Sequence, residues 1–432
     1  MKKLSLIYDI SILANHYAQT GVYFVALNIL RELKKRDDVA LSLYCESSDI
    51  NKSKSIIANV LKSDDLPCIF VANGLGLSKF KPIVKKIISK LPNTIQSPLH
   101  EFINLVLNTL IRIKKRLKAK KGLSEQESSK LKEYDAFLSP CFSVANEFKS
   151  INNYIFLHDT IPLILDGYKN NPSNYWILEM IEQIGGNQRY FSNSQNTKND
   201  FLKFATQLKD SDITVALLAC DESFKQASKE QIKAIKQKYN IPENKKYIFS
   251  LCSLEPRKNI LRIISTLCEF IKKHDIKDLV LVLGGDVSAK FSAKLQEHIN
   301  KLDSFKDKIL KIGYVDDEDL AALYSGAEFF VYTSQYEGFG LPPLEAMSCG
   351  AAVITSDNSS LPEVVGDAGI MIPYDSDEAH IKAYEDYYFN PQLKEANAKK
   401  GLEQAKKFSW EKCVNIMVEK MKEDIEKVSN NL

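Results

Sequence analysis

The sequence predicts an α/β fold built from two doubly wound parallel sheets. Three observations carry that expectation. At 432 residues the chain is too long for one ordinary core, so two domains of roughly 200 residues each are expected. Short apolar runs alternate with helical patterns across both halves, as strand-helix-strand units of a parallel sheet do. Each run also ends in small or polar residues, and open α/β sheets collect their ligands at such carboxyl ends.

Taken in order, the strands of the first half are expected at LSLIYD, ALSLYCE, CIFVA, AFLSP, YIFLHD, RYFSNS and DITVALLA, within a first domain spanning residues 1–219. The opening MKKLSLIYDISIL is basic and then apolar, but Asp9 interrupts the run and no small-residue cleavage site follows. It reads as a first strand and not as a signal peptide. Residues 220–246 are polar and charged, with Pro242 near the end, and read as a linker carrying a short helix. A second domain at 247–408 is expected to place strands at KYIFSLC, LVLVLGG, ILKIGYV, AEFFVYTS, AAVITSD and AGIMIPY. The tail 409–432 sets Trp410, Cys413, Ile416, Met417 and Met421 near helical spacing and reads as a long terminal helix. No internal repeat is evident.

Charge and composition narrow the function classes. The total charge is +3, but Lys79 to Lys121 holds twelve Lys/Arg against Glu101 alone and carries +11, which leaves −8 for the remainder. KFKPIVKKIISKLP and FINLVLNTLIRIKKRLKAKK mix these charges with Ile, Leu and Phe. Each fits an amphipathic helix lying on an anionic membrane surface, with a solvated helical face as the alternative. Nucleic acid is not expected as a partner, because no recognised binding module accompanies the charge. Eight cysteines are scattered without a C-x-x-C pair, several inside apolar runs. They read as small hydrophobes in a reduced, cytoplasmic setting. No apolar run reaches the ~18 residues a membrane-spanning helix needs.

The residues that carry chemistry lie mainly in the second half. In SQYEGFGLPPLEAMSCG a buried strand gives way to Glu337, a turn of Gly338, Phe339, Gly340 and Leu341, and a helix that opens on proline and carries Glu345. Proline is harmless in a first helical turn because the missing N–H has no partner there. Two glycines permit close approach of a ligand to the backbone, and a helix N-terminus favours an anion such as phosphate. Carboxylates on either side suit the hydroxyl pairs of a sugar and a ribose. The bland alternative makes Glu345 a favourable helix-start charge and Glu337 a solvated turn residue. In SLCSLEPRKNI, Arg257 and Lys258 follow a strand and Pro256. Arg can fork two phosphate oxygens and Lys can add a point charge, or both can simply be solvated. In LHDTIPL, His158 and Asp159 end a strand, where a structural His and a helix-capping Asp are the alternatives.

The run from KIGYVDDEDL through YEGFGLPPLEAMSCG to SLPEVVGDAGIMI resembles the C-terminal domain of retaining glycosyltransferases of family 4, which have the GT-B fold. The E-x7-E pattern is Glu337 to Glu345, EPRKN matches the family's phosphate-binding loop, and the similarity covers Tyr247 to about Tyr374. The first half matches only loosely. The resemblance implies two Rossmann-like domains facing a central cleft and transfer of a hexose from a nucleotide diphosphate sugar to a glycan or lipid-linked glycan. It implies that Glu337 faces the donor sugar, Glu345 holds the ribose, Arg257 and Lys258 neutralise the diphosphate, and the Gly338–Leu341 amides complete the cradle. Gly313, Tyr314 and Val315 would lie against the base, His158 close to the reacting sugar and phosphate, and Gly21 in the glycine-rich loop after the first strand. No cofactor or metal is implied, the donor being a substrate, with a GDP-sugar slightly favoured over a UDP-sugar and mannose as the favoured hexose. The setting implied is surface polysaccharide synthesis at the inner face of the plasma membrane.

Departures and rivals stand beside this. Ser253 occupies a position where many members have Arg, and Arg257 is expected to take over that charge; Tyr23 and Phe24 replace a Gly and an Arg of relatives. D-x-D occurs three times, at Asp210/Asp212, Asp317/Asp319 and Asp375/Asp377, and NGLGLSK has two of three dinucleotide-binding glycines. Both are read as chance. The rival functions are a catalytically idle sugar-nucleotide-binding partner subunit and a GT-B nucleotide-sugar epimerase.

Overall fold

The computed structural model describes residues 3–14, 21–47, 49–61, 66–72, 131, 133–141, 148, 151–169, 175–185, 188–253, 255–285 and 289–430. The basic segment 79–121 and NGLGLSK lie outside the described residues.

Two parallel sheets organise the chain. The first contains β1 (Leu4–Asp9), β2 (Val39–Ser47), β3 (Cys68–Ala72), β4 (Ala136–Ser139), β5 (Asn152–Leu157), β6 (Gln188–Ser192) and β7 (Ile213–Val215), in the order β3-β2-β1-β4-β5-β6-β7. The second contains β8 (Lys246–Leu251), β9 (Leu279–Gly284), β10 (Ile309–Gly313), β11 (Phe329–Tyr332), β12 (Val353–Ser356) and β13 (Ile370–Ile372), in the order β10-β9-β8-β11-β12-β13. Every expected strand is present. The reason is burial on both faces: β4, β9, β11 and β12 are buried along their whole length, so each is written as a continuous apolar run.

Seven helices matter for the site: α1 (Gly21–Lys34), α2 (Gln195–Phe204), α3 (Lys229–Lys238), α4 (Ile260–Lys273), α5 (Asp317–Ser325), α6 (Leu341–Ser348) and α7 (Trp410–Asn430). α4 shows why they form: Ile260, Ile263, Ile264, Leu267, Phe270 and Ile271 fall on one face and are all buried. α5 begins with Asp317, Glu318 and Asp319 in its first turn, where carboxylates favour the positive helix end.

α7 leaves the second sheet and packs on the first. Cys413 Sγ donates to the Ala216 carbonyl, Tyr154 donates to Asp424, and Lys422 pairs with Asp38 at 2.6 Å. Its buried face is Trp410, Cys413, Val414, Met417, Val418 and Met421, whereas Ile416 is exposed. Ile416 faces outward because a 3.6-residue turn carries position 416 to the opposite side from 414 and 418. One apolar core therefore runs through both sheets. Among the described residues no helix is long and apolar enough to cross a membrane.

Candidate functional site

The second sheet reverses its winding between β8 and β11, and the crevice at the carboxyl ends of two such strands is where open α/β sheets bind ligands. After β8 the chain makes one tight turn, Pro256–Lys258, closes it with Asn259 in the left-handed region at φ +60°, and starts α4. After β11 it passes through buried Thr333 and Ser334 to Glu337 and into α6. These two segments bring Arg257, Lys258 and Glu337 together.

Glu337 Oε1 accepts from Lys258 Nζ at 2.6 Å, from Tyr332 Oη at 2.9 Å and from Arg257 Nη1 at 3.0 Å. Lys258 also donates to Tyr332 Oη at 2.5 Å, and Arg257 pairs through Nη2 with Glu255 at 3.0 Å. All of this is enclosed, with Lys258 and Glu337 both buried. Burial alone pushes the Glu337 carboxyl up, but Lys258 and Arg257 outweigh it and hold the group at about 2. Burial likewise opposes the Arg257 charge, and Glu337 and Glu255 overcome it. Burial, reinforced by Glu337, keeps the Tyr332 hydroxyl protonated. Without a ligand, then, two cations are balanced by two carboxylates. The solvated alternatives for these three residues fail, because none of them sits in water.

The turn after Glu337 meets the first sheet. The Gly338 carbonyl accepts from Ser194 Oγ at 2.7 Å and from Thr197 Oγ1 at 3.0 Å, at the start of α2. A Cβ at Gly338 would lie 2.1 Å from the His158 carbonyl oxygen. The sequence reading credited this glycine with admitting a ligand, but the space beside its Cα is filled by the other sheet's backbone. Glu363 adds to the contact by accepting from the amides of Gln195 and Asn196 at 2.7 Å each. Gly340 has φ +118°, a conformation open to glycine and strained for other residues. Phe339 is buried with its ring edge-on to Phe408. Among the described residues nothing accepts from the amides of Gly338, Phe339, Gly340 or Leu341. Of these, Gly340 and Leu341 cap and open α6, whose next two positions, Pro342 and Pro343, carry no N–H, so two amides at the helix start can face an anion.

His158 ends β5 and is only 5% exposed, with its Nε2 2.7 Å from the Pro140 carbonyl, to which it donates. Burial pulls its pKa down to about 4, so the imidazole is neutral near pH 7. Asp159 accepts from the Ile161 amide and is raised by burial, with Arg257 opposing from across the contact. Gly21 opens α1 with nothing within 4 Å of a Cβ placed there.

Glu345 lies on α6, away from the ion cluster. Its Oε2 accepts from Tyr324 Oη at 2.8 Å. Burial raises it to about 7, opposed by the Tyr324 hydrogen bond and reinforced by Asp317. Gly313 closes β10 at φ +73° and its carbonyl accepts from the Gly285 amide at 2.7 Å. Beyond it Tyr314 is 57% exposed and Val315 is buried.

Four participants escaped the sequence reading: Tyr332, Tyr324, Glu255 and Tyr168, the last donating to Glu255 at 3.1 Å from the first-sheet side. The available signal was the two tyrosines inside the apolar patterns AEFFVYTS and DLAALYSG. At least one member of each D-x-D pair is held in an ion pair of its own. Asp210 pairs with Lys198, Asp212 with Arg189, Asp319 with Lys238 and Asp377 with Arg262. No group of three or more His, Cys, Asp or Glu able to hold a metal occurs among the described residues.

Residues 231–404 match the family described as glycosyl transferases group 1. The serotype-specific mannosyltransferase WbdA of Escherichia coli is 30% identical over 269 residues, 61% of this chain and 32% of WbdA. The O-antigen chain mannosyltransferase B of Escherichia coli is 38% identical over 205 residues, 46% of this chain and 52% of that protein. The chain spans about a third to a half of the length of these curated relatives. HepE of Anabaena, solved in complex with UDP and glucose, superposes with a TM-score of 0.64 at 15% identity, covering 99% of this chain and 100% of HepE. An identity that low speaks for the fold alone. The fold is GT-B, and within it residues 231–404 are similar to the glycosyl transferases group 1 family.

Proposed function

We propose that this chain is a retaining glycosyltransferase that moves a hexose, mannose foremost, from a nucleotide diphosphate sugar to a glycan or lipid-linked glycan during surface polysaccharide synthesis. The observation that carries the reading is the meeting of Arg257, Lys258 and Glu337 at the winding reversal of the second sheet, on the segment that leads into α6. A diphosphate matches that set: Arg257 forks two of its oxygens, Lys258 adds charge, and the amides complete the cradle. Glu337 faces the sugar, Glu345 the ribose, and Gly313 to Val315 the base. In the reaction the bond between the sugar's anomeric carbon and the phosphate oxygen breaks, and the acceptor oxygen bonds to that carbon on the same face. The acceptor proton goes to the departing phosphate. The developing charge is stabilised by fixed cations and backbone dipoles, so the reaction proceeds without a metal. Neutral His158 stands at the end of β5 beside the reacting groups. The names of the mannosyltransferase relatives favour GDP-mannose, and the UDP bound to HepE makes UDP-sugars the next candidates.

The test is direct. The full chain is screened with GDP, UDP, GDP-mannose and UDP-glucose by thermal shift, since a ligand that binds only the folded state raises the melting temperature. Transfer to a glycan acceptor is then followed, and the anomeric configuration of the product is read by NMR. Stabilisation by a nucleoside diphosphate with a retained anomer supports the reading. Absence of any shift and of any donor turnover overturns it, and an epimerised donor assigns the second rival.

A further inference from the structure

We propose that Tyr324 and Tyr332 are positioning residues, each holding one glutamate of the E-x7-E pair in the orientation the donor requires. Tyr324 acts on Glu345, and Tyr332 on Glu337 together with Lys258. The inference rests on the donor reading above and adds two residues to which the sequence assigned no role. Both side chains are among the largest that are fully or almost fully buried, at 0% and 3% exposure. A buried phenol must find a hydrogen-bond partner, and each of these finds a glutamate: Tyr324 Oη to Glu345 Oε2 at 2.8 Å, Tyr332 Oη to Glu337 Oε1 at 2.9 Å. They come from different elements, α5 and β11, and flank one ring, Phe330, with centroid separations of 5.1 and 6.1 Å. The common support fixes both hydroxyls relative to the sheet, and so fixes the two carboxylates relative to each other. Tyr332 has a second duty, because its oxygen also accepts from Lys258 at 2.5 Å and its ring lies under that ammonium.

The two positions have separable consequences. Glu345 is faced by Tyr324 and Asp317 of α5, Cys220 of the linker and Cys349 of its own helix. Tyr324 is the group that lowers its proton affinity, against burial and Asp317. Removing the hydroxyl therefore loosens the carboxylate and moves its titration to higher pH. Glu337 keeps its two cations when Tyr332 loses its hydroxyl, so the charge survives and the geometry is what suffers.

Tyr324→Phe and Tyr332→Phe are compared with wild type in donor KM, kcat, pH profile and melting temperature. Loss of a hydrogen bond to a charged group predicts about a tenfold rise in donor KM for Tyr324→Phe with kcat nearly kept, and about a tenfold fall in kcat for Tyr332→Phe with KM nearly kept. The acid limb of donor binding shifts upward in Tyr324→Phe alone. In a Glu345→Ala background, which removes the acceptor, Tyr324→Phe has no further effect on KM, because a residue acting through another is silent once that one is gone. If the tyrosines merely support the core, melting temperature falls while KM, the pH limb and kcat per folded molecule match wild type, and the proposal is overturned. Additive effects of Tyr324→Phe and Glu345→Ala overturn it too. Calorimetry of wild type with GDP and UDP separates the two levels: no binding overturns the donor reading and the tyrosine roles with it, whereas normal binding with unaltered variants overturns the tyrosine roles alone.

Discussion

Changing Glu337 to Gln keeps the shape of the side chain and removes one negative charge from a site where two cations depend on it. Three donors converge on Oε1, and the carboxyl is held at about 2 against an ordinary 4.5. That difference corresponds to about 3 kcal/mol of stabilisation. The figure agrees with the roughly 3–5 kcal/mol typical of removing one partner from a buried ion pair. Because the folded pKa is depressed, the contribution is fully present above pH 4.5 and is lost as pH falls toward 2. Glu337→Gln should therefore melt well below wild type at pH 7, with the gap narrowing below pH 4.5. A diphosphate would return negative charge to Arg257 and Lys258, so GDP or UDP should bind the variant at least as tightly as wild type and raise its melting temperature by more. Transfer should be abolished, since the carboxylate beside the sugar is gone. Melting curves from pH 3 to 8, calorimetry with nucleoside diphosphates and a transfer assay check the three parts. Wild-type turnover, or equal stability of variant and wild type at pH 7, would refute the reasoning.

Three further outcomes are expected. On the proposed mechanism, in which Arg257 and Lys258 take the place of a metal, transfer activity should survive EDTA; loss of activity restored by manganese would point back to a D-x-D pair. Glu345 has a folded pKa raised to about 7, so its ionised form disfavours the fold above that pH. Glu345→Gln should raise the melting temperature at pH 8 while weakening donor binding, and wild-type donor affinity should fall as pH drops through 7, both measurable by titration. Finally, if Lys79 to Lys121 holds the enzyme to anionic lipid, replacing the basic residues from Arg112 to Lys121 should release it from anionic liposomes at low salt. Each Lys or Arg near the surface is worth ~1 kcal/mol, and co-sedimentation that ignores lipid charge would leave the segment a solvated insertion.

The strands were legible because a sheet covered on both faces writes its strands as unbroken apolar runs, and LVLVLG is buried at all six positions. The charged residues that gather at the winding reversal were legible for a related reason: Arg257, Lys258 and Glu337 come soon after such runs. Their burial was not. A basic pair after a proline reads as solvated until the strand beyond it supplies Glu337, seventy-nine residues away in sequence from Lys258. The same holds for Gly338, whose need for a bare Cα comes from the His158 carbonyl of the other sheet. Tyr332 lay in a strand read as buried and Tyr324 in a helix, but the direction of a hydroxyl leaves no trace in apolar spacing. On α7 the spacing named a helix but not its buried face, on which Val414 and Val418 sit inward and Ile416 outward.

That last helix has a consequence for how the protein is made. Cys413 reaches the Ala216 carbonyl across 197 positions of sequence. At a synthesis rate of about 5–20 residues per second, the groove beside α1 and β7 waits roughly 10–40 s for the segment that covers it. The domain translated first is thus the one finished last. During that interval its apolar seat for Val414, Met417 and Met421 is open to any other chain nearby, which makes the nascent protein a natural client for a holding chaperone. It also means that cutting the chain within residues 220–246 would yield a first domain lacking one of its own helices, so the two halves are better studied joined than apart.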